Sequence, residues 1–116
     1  MALNPMIITD PDEGREYTLE YNRKTVSKVE AAGFDANRMD AAPMTMLPLL
    51  FWGAFLMHHP YMKLEDTSRI LFDGLHGLST EEAEYLGKLY SEPFKTLIST
   101  DDEGVKANPR KMAVKF

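Results

Sequence analysis

The sequence MTMLPLLFWGAFLM, residues 44–57, is the most apolar stretch of the chain and decides its fold. Thr45 is a suitable N-cap, and Pro48 then falls in the first helical turn, where a backbone N–H has no intrahelical partner in any case. The stretch therefore predicts a helix over residues 46–58 that is hydrophobic on nearly every side. Such a helix is either buried at the centre of a domain or inserted in a membrane.

The length of this helix favours burial over a membrane span. Thirteen residues extend about 20 Å at ~1.5 Å per residue, whereas a bilayer core requires about 30 Å and about 20 residues. A domain this small can hardly surround a helix on every side, so we expect part of it to face another subunit or a partner. The candidate partner-binding residues are Leu50, Phe51, Trp52, Phe55 and Met57.

Composition is that of one small globular domain. The chain has 116 residues, of which 44% are hydrophobic and 27% charged, and single domains commonly have about 100–150 residues. It contains no cysteine, which excludes disulfides, thiolate nucleophiles and cysteine-based metal sites. The first residues lack the basic, then apolar, then small-residue layout of a signal peptide. We therefore expect a cytoplasmic protein.

The body of the chain is acidic, whereas its C-terminal end is basic. Residues 1–105 hold eighteen acidic and nine basic residues, a formal charge of −9, and residues 106–116 hold four basic residues. An acidic body repels phosphate, so we do not expect it to bind nucleic acid. The basic end could touch an acidic partner, RNA or the body itself, although termini are commonly solvated. We predict one domain over residues 1–100 and a flexible, acidic-then-basic tail over 101–116.

Elements on both sides of the apolar stretch predict an α+β fold. Residues 6–9 and the alternating run 16–21, joined by a turn-rich loop, are typical of a β-hairpin. Asn22 and Gly33 delimit a first helix, residues 64–75 form a third, and a capping box opens a fourth at Ser79. Pro93 breaks or kinks this last helix, and Ser91 can cap a short continuation. We predict a single small domain with an N-terminal β-hairpin packed on about four α-helices. The two unpaired edges of the hairpin also allow a homo-oligomer.

Histidines are the only candidate metal ligands of note. His58 and His59 are adjacent, so on a helix they point about 100° apart and cannot chelate one ion together. A further ligand would have to come from elsewhere, such as Glu65, Asp66 or His76. Histidines at the end of a helix and before Pro60 are typical of a C-terminal cap. We predict no metal site.

The sequence lacks the common motifs for catalysis and cofactor binding. The sequence contains no G-x-S-x-G, no phosphate-binding loop and no G-x-G-x-x-G. The acidic cluster of Glu81, Glu82 and Glu84 lies where the first turn of a helix favours negative charge. We therefore predict no catalytic residues, no cofactor and no enzymatic activity.

Several segments together resemble a known family. They are GREYTLEYNR at 14–23, AGF at 32–34, PMT at 43–45, FWGAF at 51–55, HHP at 58–60 and LYSEPF at 89–94. In their order and spacing these segments are similar to the phage tail assembly chaperone-like proteins, small products of phage and prophage tail modules. The resemblance covers roughly residues 6–98, and its motifs are structural rather than catalytic.

The resemblance implies a non-enzymatic role in the cytoplasm of a bacterial host. Proteins of this family bind the long, helix-rich tape measure protein, keep it soluble and help the tail tube protein to polymerise around it. An alternative is a structural virion component, such as a head–tail connector or tube-associated subunit, that stays in the particle. A more remote alternative is a small metal-binding protein or enzyme that uses His58 and His59.

Overall fold

A β-hairpin followed by helices makes up the fold in the computed structural model, which describes residues 3–96. The strands are β1 (Met6–Asp10) and β2 (Arg15–Leu19), and the helices are α1 (Arg23–Ala31), α2 (Pro43–Phe55), α3 (Leu64–Arg69) and α4 (Thr80–Ser91). Two short 3-10 turns cover Ala36–Arg38 and Glu92–Thr96, and a π-helical turn covers Ile70–Gly74. The predicted α+β single domain is confirmed. The predicted tail over 101–116 lies outside the described residues.

The hairpin places its apolar side chains on the face toward the helices. Antiparallel pairing sets Met6 opposite Leu19 and Ile8 opposite Tyr17. Leu19 and Tyr17 are buried, and their partners are half-buried and lie against the core. Gly14 closes the loop with a φ of 67°, a conformation that suits glycine. The alternating apolar and polar residues of β2 therefore give the strand one face toward the core and one toward solvent.

Local capping signals fix the ends of α1 as predicted. The Asn22 side chain accepts the backbone N–H of Thr25 at 2.9 Å, and the Thr25 hydroxyl oxygen accepts the N–H of Asn22 at 2.9 Å. At the other end Gly33 has a φ of 111°. The N–H of Phe34 donates to the carbonyl of Val29 at 3.0 Å, which is the long bond of a Schellman motif. This turn folds Phe34 back into the core, where it is buried.

Helix α2 begins and ends earlier than the sequence predicted. It starts at Pro43, whose fixed φ suits the first helical position, so the prediction of Thr45 as N-cap is wrong. Pro48 therefore lies inside the helix, where it has no N–H to donate. The helix ends at Phe55 and not at residue 58, because the approach to Pro60 disfavours helical backbone.

The other elements enclose α2 on most sides. Contacts reach it from β2, α1, α3 and α4, and Phe51, Ala54 and Phe55 have no exposed surface. Among the helices of residues 3–96, none combines the length and the apolar character that a bilayer crossing requires. Four short elements thus cover most of the central helix, and Met44 and part of Trp52 remain exposed, as expected for a domain of this size.

Tyr21 makes the closest approach to α2. Its hydroxyl donates to the carbonyl of Leu50 at 2.6 Å in a buried hydrogen bond, and burial raises the pKa of Tyr21 well above its usual value. A side chain at Gly53 would overlap the Tyr21 hydroxyl and come within 3.0 Å of Val29 Cβ. Because Gly53 has no side chain, the segment that connects β2 to α1 can pack directly against α2 at this position.

The later helices combine predicted caps with an unpredicted turn. Ser79 and Glu82 exchange the two hydrogen bonds of the capping box that opens α4. The predicted helix over 64–75 is α-helical only to Arg69 and continues as the π turn, in which the N–H of Leu75 donates to the carbonyl of Ile70 at 2.9 Å. The α-helical part ends at Ser91, two residues before Pro93, as the prediction of a break at this proline requires, and a 3-10 turn follows it directly. Ser91 is accordingly the last residue of α4 and not a cap.

We predict that Gly53→Ala destabilises the protein by about 1–3 kcal/mol, the usual cost of overpacking a core. The matched control is Gly87→Ala in α4, where a Cβ would meet nothing within 4 Å. That control should be more stable by ~0.5–1 kcal/mol, because alanine is the better helix former. Chemical denaturation measures both changes.

A second substitution tests the cause of the Gly53 effect. Tyr21→Phe alone should cost ~1 kcal/mol for the lost hydrogen bond, and it should reduce the additional cost of Gly53→Ala by removing the nearest atom. Additive costs in the double variant would show that the hydroxyl is not the obstacle.

Candidate protein-binding surface

The five residues predicted to bind a partner divide into a buried group and an accessible group. Leu50, Phe51 and Phe55 are buried in the core between α2 and its neighbours. They stabilise the domain and offer no surface to another molecule, which corrects the expectation that they face a partner. Trp52 is half-buried and Met57 is 38% exposed. Partner contact stays a prediction for these two.

Trp52 is held in place by its polar edge. Its indole N–H donates to the carbonyl of Met62 at 3.0 Å, across the connection between α2 and α3. The ring is partly buried against the core, and its remaining surface is open to solvent. A tryptophan fixed in this way presents apolar area with little conformational freedom left to lose on binding.

Accessible apolar side chains concentrate in the segment that follows α2. We call them the 57–75 apolar set, and its members are Met57, Tyr61, Leu64, Phe72 and Leu75. Tyr61 is the most open of them, at 68% exposure. Helix α3, which carries Leu64, also carries the exposed residues Glu65 and Arg69, which form an ion pair at 3.2 Å. Charged side chains therefore lie close to the apolar ones. Large apolar side chains that stay exposed in one segment of a domain are candidates for protein binding.

The π turn explains why the sequence did not reveal this set. A helix over 64–75 would place Leu75 one turn after Leu71, and Leu71 is buried. The wider turn adds a residue, so the side chains after Leu71 leave the buried face, and Phe72 and Leu75 are exposed. Apolar periodicity alone gave no sign of this phase shift.

A shallow groove lies between α1 and the turn after α4. It encloses about 220 Å³ and is lined by Arg23, Val26, Ser27, Glu30, Pro93 and Phe94. That volume is below the ~300–1,000 Å³ of typical small-molecule sites. Beside it the Tyr90 hydroxyl donates to Glu30 at 3.3 Å, and burial together with the Glu30 charge raises the pKa of Tyr90 to about 12. The phenol therefore stays protonated and serves as a structural donor.

His58 and His59 contact the hairpin. The Nε2 of His59 accepts the backbone N–H of Thr18 at 3.0 Å, and the Nε2 of His58 lies 2.8 Å from a carboxylate oxygen of Glu20. The N–H of Glu20 in turn donates to the carbonyl of Ala54 at 2.9 Å. Together these contacts fasten the outer edge of β2 to the end of α2. The sequence suggested a helix cap, but the helix ends before both imidazoles, so they bond to a strand 38 to 41 residues earlier.

Among the described residues, His58 and His59 have hydrogen-bonding partners in or beside the hairpin, and no cluster of side chains is arranged to bind a metal ion. Between residues 3 and 96, no three histidine or carboxylate side chains come close enough together to hold an ion. His76 lies beyond the π turn with a φ of 56°, in the left-handed region. It is followed by Gly77, also at positive φ, and this pair reverses the chain toward α4.

The bond from Thr18 requires His59 to be neutral, because a protonated ring has no acceptor nitrogen. Burial, and secondarily the neighbouring His58, lowers the pKa of His59 below its ordinary value. The unfolded chain therefore binds the proton more readily than the folded one. The contribution of His59 to stability is complete above the ordinary pKa of ~6.5 and is lost as the pH falls below it.

We predict that the free energy of unfolding falls more steeply between pH ~7.5 and ~5.5 in the natural chain than in His59→Gln. Glutamine can accept the Thr18 N–H through its amide oxygen and does not titrate. Denaturation curves at both pH values measure the difference, and His58 is present in both proteins. Identical pH slopes would contradict a neutral acceptor at position 59.

Comparison with known proteins gives one match. A family model described as "Domain of unknown function (DUF5055)" matches residues 1–116. No curated protein and no solved structure matches the chain.

Proposed function

We propose that this chain, which belongs to the DUF5055 family of unknown function, is a non-enzymatic protein-binding module of the phage tail assembly chaperone-like type. Its client would be a helical segment of a tape measure protein, bound during tail morphogenesis in the cytoplasm of a bacterial host. The order of segments from GREYTLEYNR to LYSEPF supports this proposal. Those segments form the hairpin, the central helix and the last helix.

The 57–75 apolar set is the observation that carries the proposal. The domain buries most of its central helix, yet it leaves five large apolar side chains accessible in one stretch of nineteen residues. An amphipathic client helix buries its apolar face against a surface of this kind. Met57 adds an unbranched, adaptable side chain that tolerates clients of varied shape.

Charge supports a solubilising role. Residues 3–96 contain fifteen acidic and nine basic side chains. A net negative surface keeps a complex with an apolar client in solution and favours clients whose helices carry basic residues beside the apolar face. The non-enzymatic part of the proposal is supported by the imidazoles of His58 and His59, which are engaged with the hairpin.

We predict that Tyr61→Ser with Phe72→Ser weakens client binding at least about tenfold, because each lost apolar contact contributes on the order of 1 kcal/mol. The control is Met44→Ser, which removes an apolar side chain outside the set that is 75% exposed. This control should unfold within ~0.5 kcal/mol of the natural chain, and chemical denaturation should show that the double variant remains folded. Affinity purification from induced cells, with mass spectrometry of the tape measure protein, measures retention.

Two outcomes would contradict the proposal. Equal retention by both variants would show that the 57–75 apolar set does not bind the client. Detection of the chain in purified virions at subunit stoichiometry would favour the structural virion component, since an assembly chaperone leaves before the particle is complete.

A further inference from the structure

The two edges of the hairpin differ in their hydrogen bonding. The N–H groups of Thr18 on β2 and of Glu20, the residue after its end, point outward and donate to His59 and Ala54. In an antiparallel pair, a residue that points outward has a partner that points outward on the other strand. Ile7 is the partner of Thr18. Its N–H and carbonyl therefore face away from β2, on the far edge of β1.

Within residues 3–96, this far edge of β1 has no hydrogen-bonding partner. Thr9, opposite Glu16, has the same orientation as Ile7. No residue between 3 and 96 hydrogen-bonds to the outward groups of either position, and Ile7 is 52% exposed. The next positions with this orientation would be 5 and 11, and both are proline, which has no N–H. The free edge thus offers one short segment with two donors and their carbonyls.

We propose that this edge pairs with the same edge of a second copy of the chain. The two β1 strands would run antiparallel about a twofold axis at Ile8 and form a continuous four-stranded sheet. Ile7 of each copy would lie opposite Thr9 of the other. Because these are the outward-pointing positions, each such pair exchanges two hydrogen bonds, which satisfies all the free groups of the edge at once.

The side chains of β1 are complementary to themselves in this register. On the solvent face β-branched Ile7 meets β-branched Thr9, a favourable cross-strand pair. On the core face the two Ile8 side chains meet, and each already lies half-buried against its own core. The one charged residue of the strand, Asp10, falls opposite Met6 and not opposite a like charge. A second copy therefore fits the edge without a repulsive pair.

The expected association is weak and depends on salt. A five-residue edge buries less than the ~1,200 Å² that stable interfaces require, so the dimer should dissociate in the micromolar to millimolar range. Both copies carry net negative charge, and salt screens that repulsion. Dimerisation should accordingly strengthen as salt is added, whereas an interface built on opposite charges would weaken.

Cysteine substitution tests the register directly, because the chain has no cysteine of its own. Directly opposed residues of a non-hydrogen-bonded pair have Cα atoms about 4.5 Å apart, within the range of a disulfide. Ile8→Cys should form a disulfide-linked dimer at least about tenfold faster than Glu16→Cys, an exposed control on β2. Equal rates would refute the proposed pairing.

Sedimentation of the full chain from ~10 µM to ~1 mM measures self-association itself. Thr9→Pro removes an outward N–H without touching the bonds to β2 and should weaken the dimer at least about tenfold. If that variant does not fold, Ile7→Lys places a charge on the edge and should have the same effect. A chain that stays monomeric throughout, or an edge that binds only a foreign extended peptide, would overturn the proposal. Neither outcome depends on the identity of the client.

Discussion

The burial of one helix that is apolar all round is the constraint on which the rest of this structure depends. Helix α2 is apolar on nearly every side, so β2, α1, α3 and α4 all pack against it. The close passage of Tyr21 over Gly53 sets how near the chain between β2 and α1 can come. The Tyr21 hydroxyl donates a hydrogen bond to the Leu50 carbonyl of α2. The close packing of Tyr21 on α2 therefore leaves this buried hydroxyl paired.

The need to cover α2 also determines which apolar side chains and which strand edge stay exposed. A chain of this length has little material left after enclosing its central helix, and the connection to α3 and α3 itself retain exposed apolar side chains. The hairpin is similarly divided. Its second strand is bonded to the end of α2 through His59 and Ala54, whereas among residues 3–96 nothing bonds to the outer edge of its first strand. The molecule has two candidate binding features, the 57–75 apolar set and the main-chain edge of β1. Both remain exposed because the other parts of the domain are used to cover α2.

Much of the fold follows from local signals in the sequence. Asn22, Gly33 and Ser79 act on neighbours within four residues, and each forms the predicted cap or stop. The alternation of the second strand and the apolar run of α2 predicted which faces are buried. These features depend on backbone geometry that a short segment carries by itself.

Other features could not be derived from neighbouring residues. Thr45 has the chemistry of an N-cap, but Pro43 could also start the helix, and local sequence does not decide between them. The π turn depends on how α3 packs, and the acceptor role of His59 depends on a strand 41 residues away. For the binding surface, the sequence identified accessible Trp52 and Met57 but gave equal weight to Phe51 and Phe55, since apolar character does not distinguish a core residue from a contact residue.

The fastening of β2 to the end of α2 has a consequence for the order of events during synthesis. The hairpin emerges from the ribosome before the helices, but two isolated strands are only marginally stable in water. The groups that complete its second edge, the carbonyl of Ala54 and the ring of His59, are translated about forty residues later. The N-terminal strands therefore persist as a nascent, open ribbon until α2 has left the exit tunnel. Only then can the first twenty residues reach the arrangement they have in the finished domain.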